Sequence, residues 1–360
     1  MRSFKRLLAL FLAMHLFSSG VFSAELPQSA VDADRLGQRD VQQNIQTIKE
    51  KAHKEHQLDK KAERLPKEKS FRDKLHFYYT VLEGFDRNAL LNSSHKGSLY
   101  TEQIGIVTYK DKYKDFFMYR LSYNLIYSNY YKFDANTFLD QGPRVETAIK
   151  LNDSLFLETD YHFRFFERPH DAQANFTKHD AKVGLKHEII LGKFYQKPSF
   201  IYNEHDYSKM KARDTSGALS NDSPDRQDQN YSFDYELGFQ PTHHVLFQVH
   251  NRFGRNDSND QFRDFYDYDY YRLRPVVIWK VTPPLLLVTG VEYQRNSYDD
   301  RNFSGSQGRE DLYAVFGALY YEIGPNTSLT FHWNYIKSDN SLPELEYQNS
   351  TISAGLVFHF

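Results

Sequence analysis

The chain contains no cysteine. Disulfides, thiolate metal sites and a cysteine nucleophile are therefore excluded. It has almost no net charge, -2 with histidine neutral, so no global field draws it toward nucleic acid or acidic ligands. Nucleic acid is accordingly not expected as a partner. Beyond residue 24 no apolar run approaches the ~20 residues that a membrane helix requires. Mean hydropathy is -0.69, which taken alone points to a water-soluble protein. That inference fails for strands that are apolar on alternate residues only. From Asp32 to Lys69 there is no aromatic residue, whereas the whole chain is 16% aromatic, with 27 Tyr and 29 Phe. The aromatics are thus confined to the rest of the chain, where they suit the two interfacial girdles of a membrane barrel.

The start of the chain reads as a secretory signal peptide over 1–24. Arg2, Lys5 and Arg6 form a basic start, Leu7 to Phe17 is apolar apart from His15, and small residues follow at Ser23 and Ala24. Cleavage after Ser23 and after Ala24 both remain open. No cysteine follows the apolar run, so a lipid anchor through an amino-terminal cysteine is excluded.

Residues 25–70 are dominated by Lys, Glu, Gln, Asp and Arg. Val41, Ile45 and Ile48 have helical spacing, weakly extended by Leu36 and Ala52. Asp32 and Asp34 are candidate caps, and Pro66 ends the pattern. The segment is expected to be periplasmic and polar, helical or partly disordered. Its roles divide between a solvated tether and a helix that docks on an export partner, self-associates or plugs a barrel.

From 71 to 360 the pattern changes to strict alternation. It is clear in Phe117-Tyr119-Leu121-Tyr123-Leu125-Tyr127, Leu155-Leu157-Thr159-Tyr161-Phe163-Phe165 and Tyr231-Phe233-Tyr235-Leu237-Phe239. It continues in Val245-Phe247-Val249, Leu285-Leu287-Thr289-Val291-Tyr293, Leu312-Ala314-Phe316-Ala318-Tyr320 and Leu329-Phe331-Trp333-Tyr335. Weaker stretches lie at 75–85, 99–109, 143–151, 179–190, 193–204 and 264–281, and 99–109 has no decisive face. Short connections (such as Gly324-Pro325-Asn326) alternate with long ones (such as 205–229). Together they predict an all-β fold, a closed antiparallel transmembrane β-barrel of about fourteen strands with short turns in the periplasm and long loops outside. The longest loop, 205–229, is expected to be a solvated external loop. Arg263 to Tyr271 is expected to be the top of a strand rising through the aromatic girdle.

The last residues carry the location. Phe360, Phe358, Leu356, Ala354 and Ile352 form one apolar face of a strand, and His359, Val357, Gly355, Ser353 and Thr351 the other. A barrel's last strand must pair with its first, leaving no edge in lipid. The stretch resembles the insertion signal of bacterial outer-membrane proteins at Ser353, Gly355, Phe358 and Phe360. That resemblance implies the outer membrane as location, with membrane lipid and the barrel-assembly machinery as partners.

With the apolar parity facing lipid, the other parity faces the lumen, because a charge on the lipid face costs about 2–4 kcal/mol at mid-depth. The lumen candidates are Arg144, Glu158, Asp160, Arg164, Asp234, Glu236, Arg252, Arg272, Arg274 and Glu292, with Glu146, His162, Asp180, Lys182, Lys186, Gln248 and His250 beside them. Their charges either pair across strands and fill space, or line a hydrated passage that orients a polar solute. Arg252, Arg272 and Arg274 form the best cluster for an anionic group, and Glu158 with Asp160 the best acidic row.

Enzyme chemistry finds little support. There is no Gly-x-Ser-x-Gly, no His-Glu-x-x-His and no phosphate-cradling glycine loop. His243 and His244 fall in a predicted turn, and His162 shares a wall with Asp160 without a serine placed by spacing. No catalytic residue, metal site or cofactor is expected.

The final hundred residues resemble the barrels of surface lipoprotein assembly modifiers and of barrels linked to exopolysaccharide secretion. The likeness rests on Arg309-Glu310-Asp311-Leu312-Tyr313, Tyr320-Tyr321, the turn Gly324-Pro325-Asn326-Thr327-Ser328-Leu329, Asn334-Tyr335, Ser338-Asp339-Asn340-Ser341, Tyr347 and Phe360. Assembly modifiers carry helical repeats before the barrel, and 25–70 is too short for such repeats. The expected function is a channel or translocation pore for a hydrophilic solute or secreted polymer. The alternatives are a non-conducting docking barrel for a lipoprotein or polysaccharide export system, and an enzyme at the barrel rim.

Overall fold

The computed structural model describes residues 74–89, 96–113, 116–220, 222–262, 266–299, 308–341 and 345–360. The signal peptide expected over 1–24 and the polar segment expected over 25–70 lie outside the described residues, as do Arg263, Asp264 and Phe265.

Fourteen strands follow one another: β1 (Leu75–Asp86), β2 (Ser98–Tyr113), β3 (Phe117–Tyr130), β4 (Phe138–Lys150), β5 (Leu155–Glu167), β6 (Phe176–Ile190), β7 (Phe194–Lys211), β8 (Asp225–Thr242), β9 (Val245–Ser258), β10 (Tyr268–Thr282), β11 (Leu285–Tyr298), β12 (Arg309–Gly324), β13 (Thr327–Asn340) and β14 (Tyr347–His359). Each pairs antiparallel with its chain neighbours, and β1 closes the barrel on β14. The number of strands and the alternation of short and long connections are those the sequence pattern predicts. Among the described residues no helix is long and apolar enough to cross a membrane.

The closing seam runs from Tyr78 opposite His359 to Asp86 opposite Thr351. Two further backbone bonds extend it: Phe77 N–H donates to the Phe360 carbonyl at 3.1 Å, and Phe360 N–H to the Phe77 carbonyl at 2.9 Å. Gly355 sits on this seam where a side chain does not fit. A Cβ there would lie 1.8 Å from the Val81 carbonyl oxygen.

The outward face carries Phe200, Phe233, Phe253, Val291, Val315 and Ile352, all exposed. Water does not tolerate so continuous an apolar surface, and acyl chains do. Outward tyrosines such as Tyr231, Tyr313 and Tyr335 lie toward the long-loop end, and Phe239, Trp279 and Tyr321 toward the short-turn end. Strands of 12 to 18 residues exceed the ~9–11 needed to span, so they project beyond the membrane. β7 and β8 reach 18 residues each, and the connection between them shrinks from the expected 205–229 to 212–224.

Two side-chain assignments differ from those the sequence predicts, and β2, which has no decisive face in sequence, gains one. In β12 the row Leu312-Ala314-Phe316-Ala318-Tyr320, expected on the lipid side, points into the barrel: Phe316 is 4% exposed, against 44% for Val315. The register explains it, since Phe316 pairs with Asn334 and Ala318 with His332, and paired residues share a face. In β2, Ile104 and Ile106 are buried, which gives that strand an apolar inner face. At the top of β10, Tyr270 points inward, its hydroxyl donating to Asn230 at 3.0 Å, and Tyr268 packs on Tyr298 at 5.1 Å. Tyr271 faces outward, against Phe253 at 5.0 Å.

Candidate solute pathway in the lumen

A cavity of about 720 Å³ follows the inner face of β2 to β10. Nine of the ten predicted lumen residues line it: Arg144, Glu158, Asp160, Arg164, Asp234, Glu236, Arg252, Arg272 and Arg274. Glu292 does not reach it and instead lies against Arg274, Nε to Oε2 3.6 Å. The alternation places these groups. In β8 the outward Tyr231, Phe233 and Phe239 leave Ser232, Asp234 and Glu236 no direction but inward.

Ion pairs cross the wall from strand to strand. Arg120 of β3 donates to Glu146 of β4 at 3.2 Å. Arg144 of β4 grips Asp160 of β5 with two bonds of 2.8 and 2.5 Å. Arg164 of β5 holds the buried Asp140. Lys178 meets Asp180 at 3.1 Å within β6. Lys197 of β7 lies 2.9 Å from Glu236 and 3.3 Å from Glu158. Tyr195 donates to Glu236 at 2.6 Å and accepts from Gln248 at 2.8 Å. His162 stands opposite Arg144.

Among the described residues the lining contains eleven Lys and Arg and seven Asp and Glu. Lys110, Arg120 and Lys197 also line the cavity, although the sequence pattern alone does not single them out. Lys197 sits beside Pro198 in a strand without a clean apolar face. The signal that was there is its shared parity with Tyr195 and Ser199.

Opposite the cavity, the inner wall is apolar. Val276, Ile278, Val288, Phe316, Ala318 and Tyr320 form one buried cluster, with Leu246, Leu286 and Val357 packed against it. Arg274 marks the border, its guanidinium 4.9 Å from the Phe316 ring.

Among the described residues, the long-loop end is densely packed. Glu310, 2% exposed, accepts from Tyr298 at 3.0 Å, Asn296 at 2.9 Å and Ser338 at 2.9 Å. Phe138, Phe166, Phe176 and Tyr207 make a buried ring row with centroids 5.4, 4.7 and 5.6 Å apart. Arg226 lies 3.3 Å over the Tyr266 ring and pairs with Asp228 at 2.5 Å. The loop 212–224 is tied down rather than free: Ala212 is buried, and Arg213 pairs with Asp260 at 2.9 Å. Within the loop Asp214 accepts from the Ser216 hydroxyl at 2.6 Å, which holds its carboxyl below the ordinary carboxylate range. Toward the short-turn end Met118, part of the lining, is 43% exposed.

The other candidates fall as follows. Ser353 is buried facing inward, Gly355 abuts Val81, Phe358 pairs with Tyr79, and Phe360 is 71% exposed. His243 and His244 occupy a tight turn with rings 3.9 Å apart. Among the described residues no group of three or more His, Asp or Glu side chains is arranged for a metal ion.

No family model matches the chain, and no curated protein matches it. Among solved structures, the outer membrane channel DcaP of Acinetobacter baumannii aligns with a TM-score of 0.50 at 8% identity, covering 79% of this chain and 97% of that one. OmpT, an outer-membrane protein of Vibrio cholerae, aligns at 0.46 and 11% identity over 83% of this chain and 100% of that one. Pseudomonas aeruginosa OccK1 aligns at 0.41 and 8% identity over 81% and 100%. At these identities the likeness is one of architecture alone, and the architecture is a closed antiparallel barrel of outer-membrane type.

Proposed function

We propose that the barrel is an outer-membrane channel for a hydrophilic solute, shut at its outer end in the conformation described. The observation that carries this reading is the charged cavity of about 720 Å³ enclosed by a lipid-facing wall. A barrel that only filled space would close such a cavity with apolar side chains, as β10 to β12 do on the other side. Short turns then lie in the periplasm, and the loop layer faces outside. Ser353, Gly355, Phe358 and Phe360 serve insertion by the assembly machinery. Residues 25–70 are assigned to the periplasm by the same polarity.

One observation favours a second reading, the densely packed layer at the loop end. A barrel that never opens would be a docking module for an export partner, in keeping with the resemblance to assembly-modifier barrels. Planar-bilayer recording separates the two. The channel reading expects discrete steps for the whole protein, with more frequent opening when Arg213→Ala and Asp260→Ala release the loop latch. A folded barrel silent in both forms, with capture of its partner lost on deleting 25–70, leaves the docking reading.

A further inference from the structure

β1 carries a charge on its lipid-facing side. Leu82 and Asp86 are buried inside the barrel, so Tyr79, Val81, Glu83 and Phe85 face out. Phe77, at the short-turn end, exchanges backbone bonds with Phe360. Glu83 stands six residues farther along, about 15 Å higher at ~3.3 Å per residue and a tilt near 40°. The apolar band of such barrels is about 25 Å tall, and the exposed Phe85 and Leu99 continue it on the loop side of Glu83. Among the described residues the Glu83 carboxylate has no hydrogen bond and no ion pair. Several outward polar side chains are instead satisfied within their own wall. Thr147 meets Thr159 at 2.8 Å, Tyr235 donates to Gln196 at 2.6 Å, and Thr289 donates to the Phe316 carbonyl at 3.0 Å. Acyl chains offer a carboxylate no donor, so a bare one in this layer calls for a protein partner.

The matching donor is on the next strand. Gln103 of β2 faces out, and its Oε1 accepts from the Tyr79 hydroxyl at 3.1 Å. Its amide N–H groups have no acceptor among the described residues. On the other flank Glu83 is opposite Ala354 of β14, too small to cover it. The register sets the heights. Direct partners run from Thr80 in mid-β1 through Ile104, Ile126 and Asp140 to Phe166, near the loop end of β5, so each step climbs toward the loops. At a tilt near 40° one step lifts by about 3 Å, and two residues along a strand count for about 5 Å. Gln103 is the direct partner of Val81 and so stands within about 2 Å of the height of Glu83. An acceptor and a donor side by side at one height are self-complementary. A two-fold axis along the membrane normal, passing near Val81 and Thr101, sets each Glu83 against Gln103 of a second copy.

We propose that the outer face of β14, β1 and β2 is an interface between two copies of this chain in the membrane, in which the Glu83 carboxylate accepts from the Gln103 amide across the two-fold axis. A soluble partner does not reach this depth. The patch itself supplies both halves of the contact, which a second copy matches and lipid does not. Such a pair forms whether or not the lumen conducts.

The chain has no cysteine of its own, so a single introduced one reports a contact directly. In outer membranes carrying the full-length protein, Val81→Cys oxidised with copper phenanthroline is expected to give a covalent dimer of this chain. Val183→Cys on β6, exposed away from the seam, is expected to stay monomeric under the same treatment. Added to Val81→Cys, Glu83→Leu should lower the dimer yield about tenfold or more, through loss of charge-assisted hydrogen bonds. Gln103→Leu should do the same without touching β1, and the two combined should lose little more than either alone. Glu83→Leu should keep the heat-modifiable folded band, since lipid accepts leucine more readily than a carboxylate. A residue needed only for the barrel would lose both readouts. Val81→Cys that stays monomeric, or that couples to a different membrane protein, overturns the proposal. So does an equal yield of dimer from Val183→Cys, undiminished coupling after Glu83→Leu and Gln103→Leu, or a trimer by native mass spectrometry.

Discussion

The two sides of the lumen solve the same problem in opposite ways. Behind β3 to β9 the interior is held by ion pairs, such as Arg144 with Asp160 and Lys197 with Glu236, and water-accessible space remains. Behind β10 to β12 it is held by the buried apolar cluster of Val276, Val288, Phe316 and Tyr320. The outer surfaces of both sides are equally apolar, because lipid demands it of every strand. The inner face is therefore where the chain has freedom, and it uses that freedom asymmetrically. A packed wall gives rigid support, and the charged wall opposite it leaves room for a solute.

The comparison breaks first at the seam through which the two sides meet. Gly355→Val would drive its Cβ into the Val81 carbonyl, 1.8 Å away. The expected outcome is no closed barrel, read as loss of the heat-modifiable folded band on gels. Next comes Phe316→Ala on the packed wall, expected to cost about 3–5 kcal/mol in reversible denaturant unfolding. Asn124→Ala, on the cavity wall, should stay within about 1 kcal/mol. If both cost the same, the contrast between the walls is lost. Val315→Arg sharpens the parity of β12. Facing lipid, as its 44% exposure requires, it should cost about 2–4 kcal/mol in liposomes. Were the row of Phe316 the lipid row, the arginine would enter the lumen at little cost. The smallest effect concerns the loop. Asp214 has a lowered folded-state pKa from the Ser216 and Ala218 bonds, so its contribution is whole above the ordinary carboxylate value and disappears as pH falls through the lowered one. Pepsin cleavage between 212 and 224 should rise as pH falls below the ordinary carboxylate value, and Asp214→Asn should flatten that rise.

Much of this was legible in the residues. Charged positions such as Asp160 and Asp234 alternate with aromatics, and burying charge in lipid is so costly that parity alone turns them inward. The strand number followed from the turn residues between alternating runs. β12 misled because both of its faces are apolar: Tyr313, Val315 and Tyr321 on one, Leu312, Phe316 and Tyr320 on the other. Alternation has nothing to choose between there. The tight turn at Gly324 and the polar His332 and Asn334 held the answer, since cross-strand partners share a side. The full set of lining cations became visible only when strands far apart in sequence were brought round one cavity. The packing of the loop end depends on contacts such as Arg226 with Tyr266 and Arg213 with Asp260, which join different loops and leave no periodic trace.

One consequence follows from the length of β7 and β8. At ~3.3 Å per residue, each of these 18-residue strands is about 60 Å long, roughly twice what a tilted crossing of the hydrocarbon consumes. The hairpin tip at Leu219 and Ser220, both exposed, therefore lies beyond the hydrocarbon layer. A short epitope grafted between those two residues would be displayed on intact cells without touching the walls below.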